Sequence, residues 1–317
     1  MEKRDYSEIT PEITHLTGIL EQNGTIDRDL YELYKVNRGL RDLNGNGVLT
    51  GLTEISEVNG RDENGKPIEG ELYYRGYPIQ DLVRGFLSEG RYGFEEITYL
   101  LLFGSLPNRE QLNSFDTLLS GYRSLPSSFV RDIIMKAPSA NIMNSMARSV
   151  LTLYAYDNNP DDTSLPNVLR QCLQLIATFP QLALHGYQAY DYYRKDSTSF
   201  FIHDPQPQLS TAENILHMLR LDGSYTPIEA RVLDMALVLH AEHGGGNNST
   251  FTTHVVTSTG TDTYSAVSSA LGSLKGPKHG GANIKVTHMF EEIKQNVRDW
   301  SDEGEITAYI HRILNKD

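Results

Sequence analysis

The sequence predicts a mainly α-helical protein with one small β-hairpin near its N-terminus. Three observations predict it. From about residue 79 onward, apolar residues recur at three- and four-residue spacing almost without interruption. Pro107, Pro126 and Pro138 fall at the joints between those segments, where helices should stop. Only residues 47–79 offer short β-prone runs bounded by turn formers.

Taken in order, residues 6–38 read as helical, with Tyr31, Leu33, Tyr34 and Val36 mixed among charges. A basic cluster of Lys35, Arg38 and Arg41 follows. The runs GVLTGLTEISEVNG (47–60) and ELYYRGYPI (71–79) flank the turn-rich RDENGKPIEG and predict a small hairpin. Helical spacing then covers 79–89, 93–103, 108–123, 127–136 and 139–155. DNNPDDTSLP (157–166) is an acidic loop, 167–195 a long helix with Pro180 as its expected bend, and HDPQPQLS (203–210) a second loop before a helix over 211–222. Thr226, Pro227 and Glu229 supply an N-cap, a first-turn proline and a capping-box acid for the next helix. Its stripe of Ile228, Val232, Met235, Ala236 and Leu239 is expected to face the core. A further helix starts near Asp262 or Thr263, presents Ala266, Val267, Ala270, Leu271 and Leu274, and halts at Gly276-Pro277.

The bulk numbers narrow the function. A chain of 317 residues holds one large domain or two ordinary ones. Its formal net charge of −13 argues against broad nucleic-acid binding, which needs a basic face. An anionic small ligand remains open, because helix N-termini and a few local cations suffice. No apolar run reaches the ~20 residues of a membrane helix. One cysteine, Cys172, excludes an intrachain disulfide, and the start MEKRDYSEITPEITHL has no apolar stretch of a leader. A cytoplasmic setting is the expectation.

Two helices each deliver histidines into glycine-rich ends. LHAEHGGGNNSTFTTH (239–254) carries His240, His243 and His254, and KGPKHGGAN (275–283) carries His279. Glycines let backbone approach a ligand closely. If Gly280 or Gly281 opens the next helix, His279 sits beside its positive N-terminus, which disfavours imidazolium. A neutral imidazole there can donate to a carbonyl oxygen as negative charge develops, the chemistry that enolises a thioester or ketone. His243, at a helix C-terminal end, has the opposite bias, and a protonated ring suits an anionic keto acid. A metal reading is weaker: His240 and His243 are three apart beside Glu242, but the spacing is not HExxH. A phosphate loop is weaker still, because GGGNNST lacks the lysine. No metal is expected.

HAEHGGGN (240–247) resembles the "H-x-D-H-x-x-N" segment of the citrate synthase family, and GPKHGGAN (276–283) resembles its "G-P-x-H-G-G-A-N" segment. GVLTGLTEISEVNG, GELYYRGYPIQDL and LSTAENILHML are also similar to family stretches, so the likeness runs from about residue 40 to the end. The resemblance implies a multi-helical homodimer formed through large-domain helices. It implies a Claisen-type condensation of acetyl-CoA with oxaloacetate, followed by hydrolysis of citryl-CoA, with no cofactor because acetyl-CoA is a substrate. His279 then matches the histidine that stabilises the enol of acetyl-CoA, His243 and Asn247 match the oxaloacetate-binding segment, and Arg41 matches an arginine reaching CoA phosphates. The family continues into a third histidine, an aspartate that removes the methyl proton, and arginines that clamp the dicarboxylate. This sequence ends at Asp317, ahead of them. The resemblance therefore implies a large domain over 1–280, the first part of a small domain over 281–317, and a chain inactive alone. Glu242 and Glu213 are the available stand-ins for the missing base. The alternatives are a 2-methylcitrate synthase using propionyl-CoA, and a non-catalytic oligomerisation or binding protein of the same fold.

Overall fold

The computed structural model describes residues 7–35, 52–194 and 200–315. The fold is mainly α-helical, with one three-stranded sheet. The N-terminal helical region forms two helices, α1 (Pro11–Asn23) and α2 (Arg28–Leu33). The sheet is antiparallel, in the order β1 (Ser56–Arg61), β2 (Pro67–Tyr74), β3 (Tyr77–Pro78). Ser56 pairs with Tyr74 and Val58 with Leu72. The first strand begins later than its β-prone run suggests and the second earlier, with Pro67 of the expected loop pairing with Arg61 of β1. The turn itself needs only residues 62–66, with Gly65 at φ +77°. Between β2 and β3, Arg75 (φ +49°) and Gly76 (φ +83°) make a two-residue turn with both φ values positive, as the twist of a tight hairpin demands.

The helices that follow are α3 (Ile79–Ser88), α4 (Phe94–Phe103), α5 (Arg109–Tyr122), α6 (Ile142–Leu153), α7 (Leu165–Arg194), α8 (Thr211–Leu219), α9 (Pro227–Leu239), α10 (Asn248–Thr257) and α11 (Thr263–Leu274). The segment expected as a helix over 127–136 is instead a single π-helical turn, Val130–Ile134. α10 was not foreseen: its sequence NSTFTTHVVT offers little apolar periodicity, and its start depends on the Asn247 cap. Capping boxes at Asn108/Gln111, Ser210/Glu213 and Thr226/Glu229 start α5, α8 and α9.

α7 organises the packing and stays helical through Pro180, whose missing N–H leaves one carbonyl of the preceding turn without its helical partner. Leu169, Leu173 and Ala177 pack with Ile13 and Leu16 of α1, Tyr99 and Phe103 of α4, and Phe115 and Leu119 of α5. Leu175, Leu182 and Ala189 pack with Met146 and Val150 of α6 and with Tyr264 and Leu271 of α11. A third cluster joins Tyr74 of the sheet to Ile79, Leu82 and Phe86 of α3, Leu100 of α4 and Val238 of α9. Near the start of α7 lies a fully buried ion pair, Arg170 to Asp157 at 2.7 Å. The Asp157 carboxylate also accepts from Ser7, Gln171 and the Tyr264 hydroxyl. Burial alone would raise its pKa, but these donors hold it at about 2.

The apolar stripe expected to line the core on α9 faces outward: Ile228 is 65%, Val232 54% and Leu239 43% exposed. The buried face carries Ala230, Asp234 and Val238 instead. Asp234 explains the rotation. Its carboxylate accepts from Gly93 N (2.7 Å) and Phe94 N (3.1 Å), so it caps the N-terminus of α4, where Gly93 has no side chain to do so.

The chain divides into two compact units, Met1–Leu271 and Gly272–Asp317. The division falls inside α11, whose Leu271 belongs to the first unit's core. The second unit holds α12 (Ala282–Asn296) and α13 (Glu303–Asn315), packed through Ile293, Val297 and Tyr309. Among the described residues, no helix is long and apolar enough to cross a membrane.

Candidate active site

In the first unit, α9 ends at Leu239 and His240 forms its C-cap, with the ring Nδ1 2.7 Å from Ala236 O. The helix-end position therefore belongs to His240, and its ring serves its own helix. His243 lies beyond the cap, exposed, in a turn that Gly244 closes at φ +107°, a conformation that favours glycine.

Asn247 fixes the His243 ring. Its Oδ1 accepts from Ser249 N (2.7 Å) and Thr250 N (3.2 Å), capping α10. With the oxygen so used, the amide Nδ2 must be the group facing His243 Nε2 at 2.7 Å. In the neutral ring Nε2 then accepts, which leaves the ring proton on Nδ1. Ser249 Oγ in turn donates to Ala270 O, tying α10 to α11.

Glu242, weighed as a stand-in base, has Oε1 occupied: His243 N (3.0 Å) and Gly244 N (2.7 Å) both donate to it. Glu213 is likewise engaged in the α8 capping box. Both carboxylates therefore serve the backbone of their own segments. Among the described residues, no group of three or more His, Cys, Asp or Glu could hold a metal ion.

In the second unit, His279 lies in the turn between α11 and α12 and is half-buried. His279 N and Gly280 N both donate to Gly276 O, at 2.9 and 3.0 Å. Gly281 is the N-cap of α12, so His279 precedes the first turn of that helix, as the sequence suggested. The glycines serve the turn before they serve any ligand. A Cβ at Gly280 would lie 2.1 Å from Leu274 O, and one at Gly281 would lie 2.2 Å from Pro277 O.

The structure thus brings His243 and Asn247 together and places His279 in the other unit. Arg41 lies outside the described residues. Sequence reasoning missed the contribution of Ser56 and Tyr74 to the His243 loop. Nothing local marks them, because they reach Glu242 from 186 and 168 residues away.

Residues 42–317 match the family model described as citrate synthase, C-terminal domain. The 2-methylcitrate synthase 1 of Corynebacterium glutamicum is 33% identical over 290 residues, covering 88% of this chain and 69% of that protein. The citrate synthase of Haloferax volcanii is 33% identical over 294 residues, covering 89% of this chain and 70% of that protein. Among solved structures, the citrate synthase of Pyrobaculum aerophilum matches with a TM-score of 0.65 at 30% identity, over 78% of this chain and 58% of that one. The citrate synthase of Thermotoga maritima matches with a TM-score of 0.62 at 28% identity, over 88% of this chain and 64% of that one. The chain therefore spans less than two thirds of those two structures.

Proposed function

Because this chain belongs to the citrate synthase family, we propose that it carries the keto-acid-binding and thioester-enolising histidines of an acyltransferase that condenses acetyl-CoA with oxaloacetate. The observation that carries the reading is the His243–Asn247 pair in HAEHGGGN, held at 2.7 Å. With Nε2 occupied by Asn247, Nδ1–H is the hydrogen-bond donor left for an oxygen of oxaloacetate. His279 stands just before the N-terminus of α12, and α12 lacks a side-chain cap. An imidazole there donates to the thioester oxygen as enolate charge develops, and the helix dipole favours the same charge. In the condensation, a base takes the methyl proton, the resulting carbon attacks the ketone of oxaloacetate, and the ketone oxygen gains a proton. Hydrolysis then releases citrate and CoA.

Isothermal titration of the 317-residue chain with oxaloacetate tests this. Binding is expected and should weaken at least about tenfold in H243A, the loss of roughly one charge-assisted hydrogen bond. An H243A variant that binds as well as the parent sinks the reading. A second reading, 2-methylcitrate synthesis from propionyl-CoA, is favoured by the Corynebacterium relative. Titration with acetyl-CoA and propionyl-CoA separates the two.

The exposed Ile228, Val232 and Leu239 on α9 support self-association through this helix of the first unit. Sedimentation should give a dimer, and I228D/V232D should shift it to monomer. A monomeric parent chain removes this part.

A further inference from the structure

The loop carrying His243 hangs from the sheet by two side chains. Tyr74, the fully buried last residue of β2, directs its hydroxyl proton between Val238 O (2.8 Å) and Glu242 O (3.1 Å). The same hydroxyl accepts from Glu242 N at 3.3 Å. Burial raises this phenol's pKa, which keeps the proton in place. On the other side of residue 242, a single carboxylate oxygen, Oε1, gathers three donors: Gly244 N at 2.7 Å, His243 N at 3.0 Å and Ser56 Oγ at 3.2 Å. Ser56 and Tyr74 are cross-strand partners in the sheet. One strand pair therefore holds residue 242 twice, Tyr74 by its main chain and Ser56 by its carboxylate.

We propose that Glu242 is a positioning residue for His243: its carboxylate fills the anion-binding nest formed by the successive amides of His243 and Gly244 and locks that turn to the Ser56–Tyr74 pair. Two consecutive N–H groups aimed at one point would otherwise attract any carboxylate, including that of a keto acid. Glu242 occupies the point from within, so a bound anion meets the His243 ring and not the backbone behind it. Asn247 then fixes the ring from the far side. The hydrogen bonds to an ionised acceptor are the strong kind, and they set the loop with side chains from distant elements. The effect on ligand affinity rests on the reading of His243 above; the effect on the ring does not.

The test is a long-range proton–nitrogen correlation spectrum of the 317-residue chain, with the His243 ring assigned by its loss in H243Q. The parent should show one tautomer, protonated at Nδ1. Glu242→Ala should move both ring nitrogens toward tautomer-averaged values. Glu242→Gln, which keeps an acceptor oxygen, should retain most of the parent signature. Tyr74→Phe and Ser56→Ala each delete one hydroxyl and should give intermediate spectra; they decide the matter if Glu242→Ala does not fold. Oxaloacetate affinity should fall about tenfold in Glu242→Ala and less than about threefold in Glu242→Gln. Unchanged ring signals in Glu242→Ala, or in both hydroxyl variants when that protein is unfolded, overturn the proposal. A parent chain that ignores oxaloacetate, while its ring signals collapse in Glu242→Ala, leaves the positioning role standing and removes the functional reading.

Discussion

His243 belongs to a unit with three apolar clusters and a fully buried ion pair, whereas His279 belongs to one whose core is Ile293, Val297 and Tyr309. The means of placement differ accordingly. His243 is braced by side chains from the sheet, from its own loop and from the start of α10. His279 sits in a backbone turn so tight that Gly280 and Gly281 admit no Cβ. A larger unit buries a larger share of its surface, and with it polar side chains such as Tyr74 that brace the His243 loop. The second unit also leaves Ile284 and Phe290 of α12 exposed, while the first buries Arg170 completely.

The largest expected effect breaks the comparison on the first unit's side. Arg170→Ala leaves Asp157 buried without its cation, and such losses run to about 3–5 kcal/mol. Urea unfolding followed by far-UV circular dichroism measures it. A change below about 1 kcal/mol would mean that the buried pair does not distinguish the units. Next, Gly280→Ala drives a methyl into Leu274 O and should cost about 1–3 kcal/mol, as overpacking does. Hydrogen exchange should show that cost in the amides of α12 and not in those of α7. Equal acceleration in both helices would show that the units melt together.

The smallest effect is a pH dependence of the first unit. Burial, helped by the charge of Glu95, pushes Asp116 up to about 7, with Arg123 and Arg91 opposing and Glu96 adding. Burial pushes Asp234 up to about 6 against the two amides that it caps. Both folded values lie above the unfolded one, so the folded state holds more protons near neutrality, and stability should rise as pH falls from about 8 to 5. Asp157 has the opposite sign: its contribution is present above about pH 4 and is lost as pH falls toward 2. Thermal melts from pH 8 to 3 should therefore pass through a maximum on the acid side of neutrality. Asp116→Asn should flatten the neutral limb by on the order of 1 kcal/mol. A parent whose melting point climbs steadily up to pH 8 contradicts the assignment.

Local chemistry was legible in the sequence where the signal and its reader lie within a few residues. Thr226, Pro227 and Glu229 start α9 as read, and Gly276-Pro277 ends α11. His279 stands where its glycines suggested, just before a helix. What was not legible depends on partners far along the chain. The inward face of α9 was misread because its bulky residues point outward. Small Ala230 and Val238 pack inward instead, and Asp234 is turned inward by the amides of α4. α10 was missed because its cap residue also looked like a ligand-binding asparagine, and Asn247 does serve the histidine and the helix together. Ser56 and Tyr74 carry no mark of their role until the sheet sets them under the loop.

α4 has a further lesson. Its first amides are held by Asp234 from α9, and its last carbonyls by Arg75 (2.9 Å to Leu101 O) and Asn23 (2.7 Å to Phe103 O). Gly93 gives the helix no cap of its own, and its ten residues fall short of the length at which isolated helices persist in water. α4 is thus a guest in the chain, held at both ends by three hosts. Its hydrogen-bonding ends are closed by tertiary partners, so the helix borrows its termini from the sheet turn, α1 and α9.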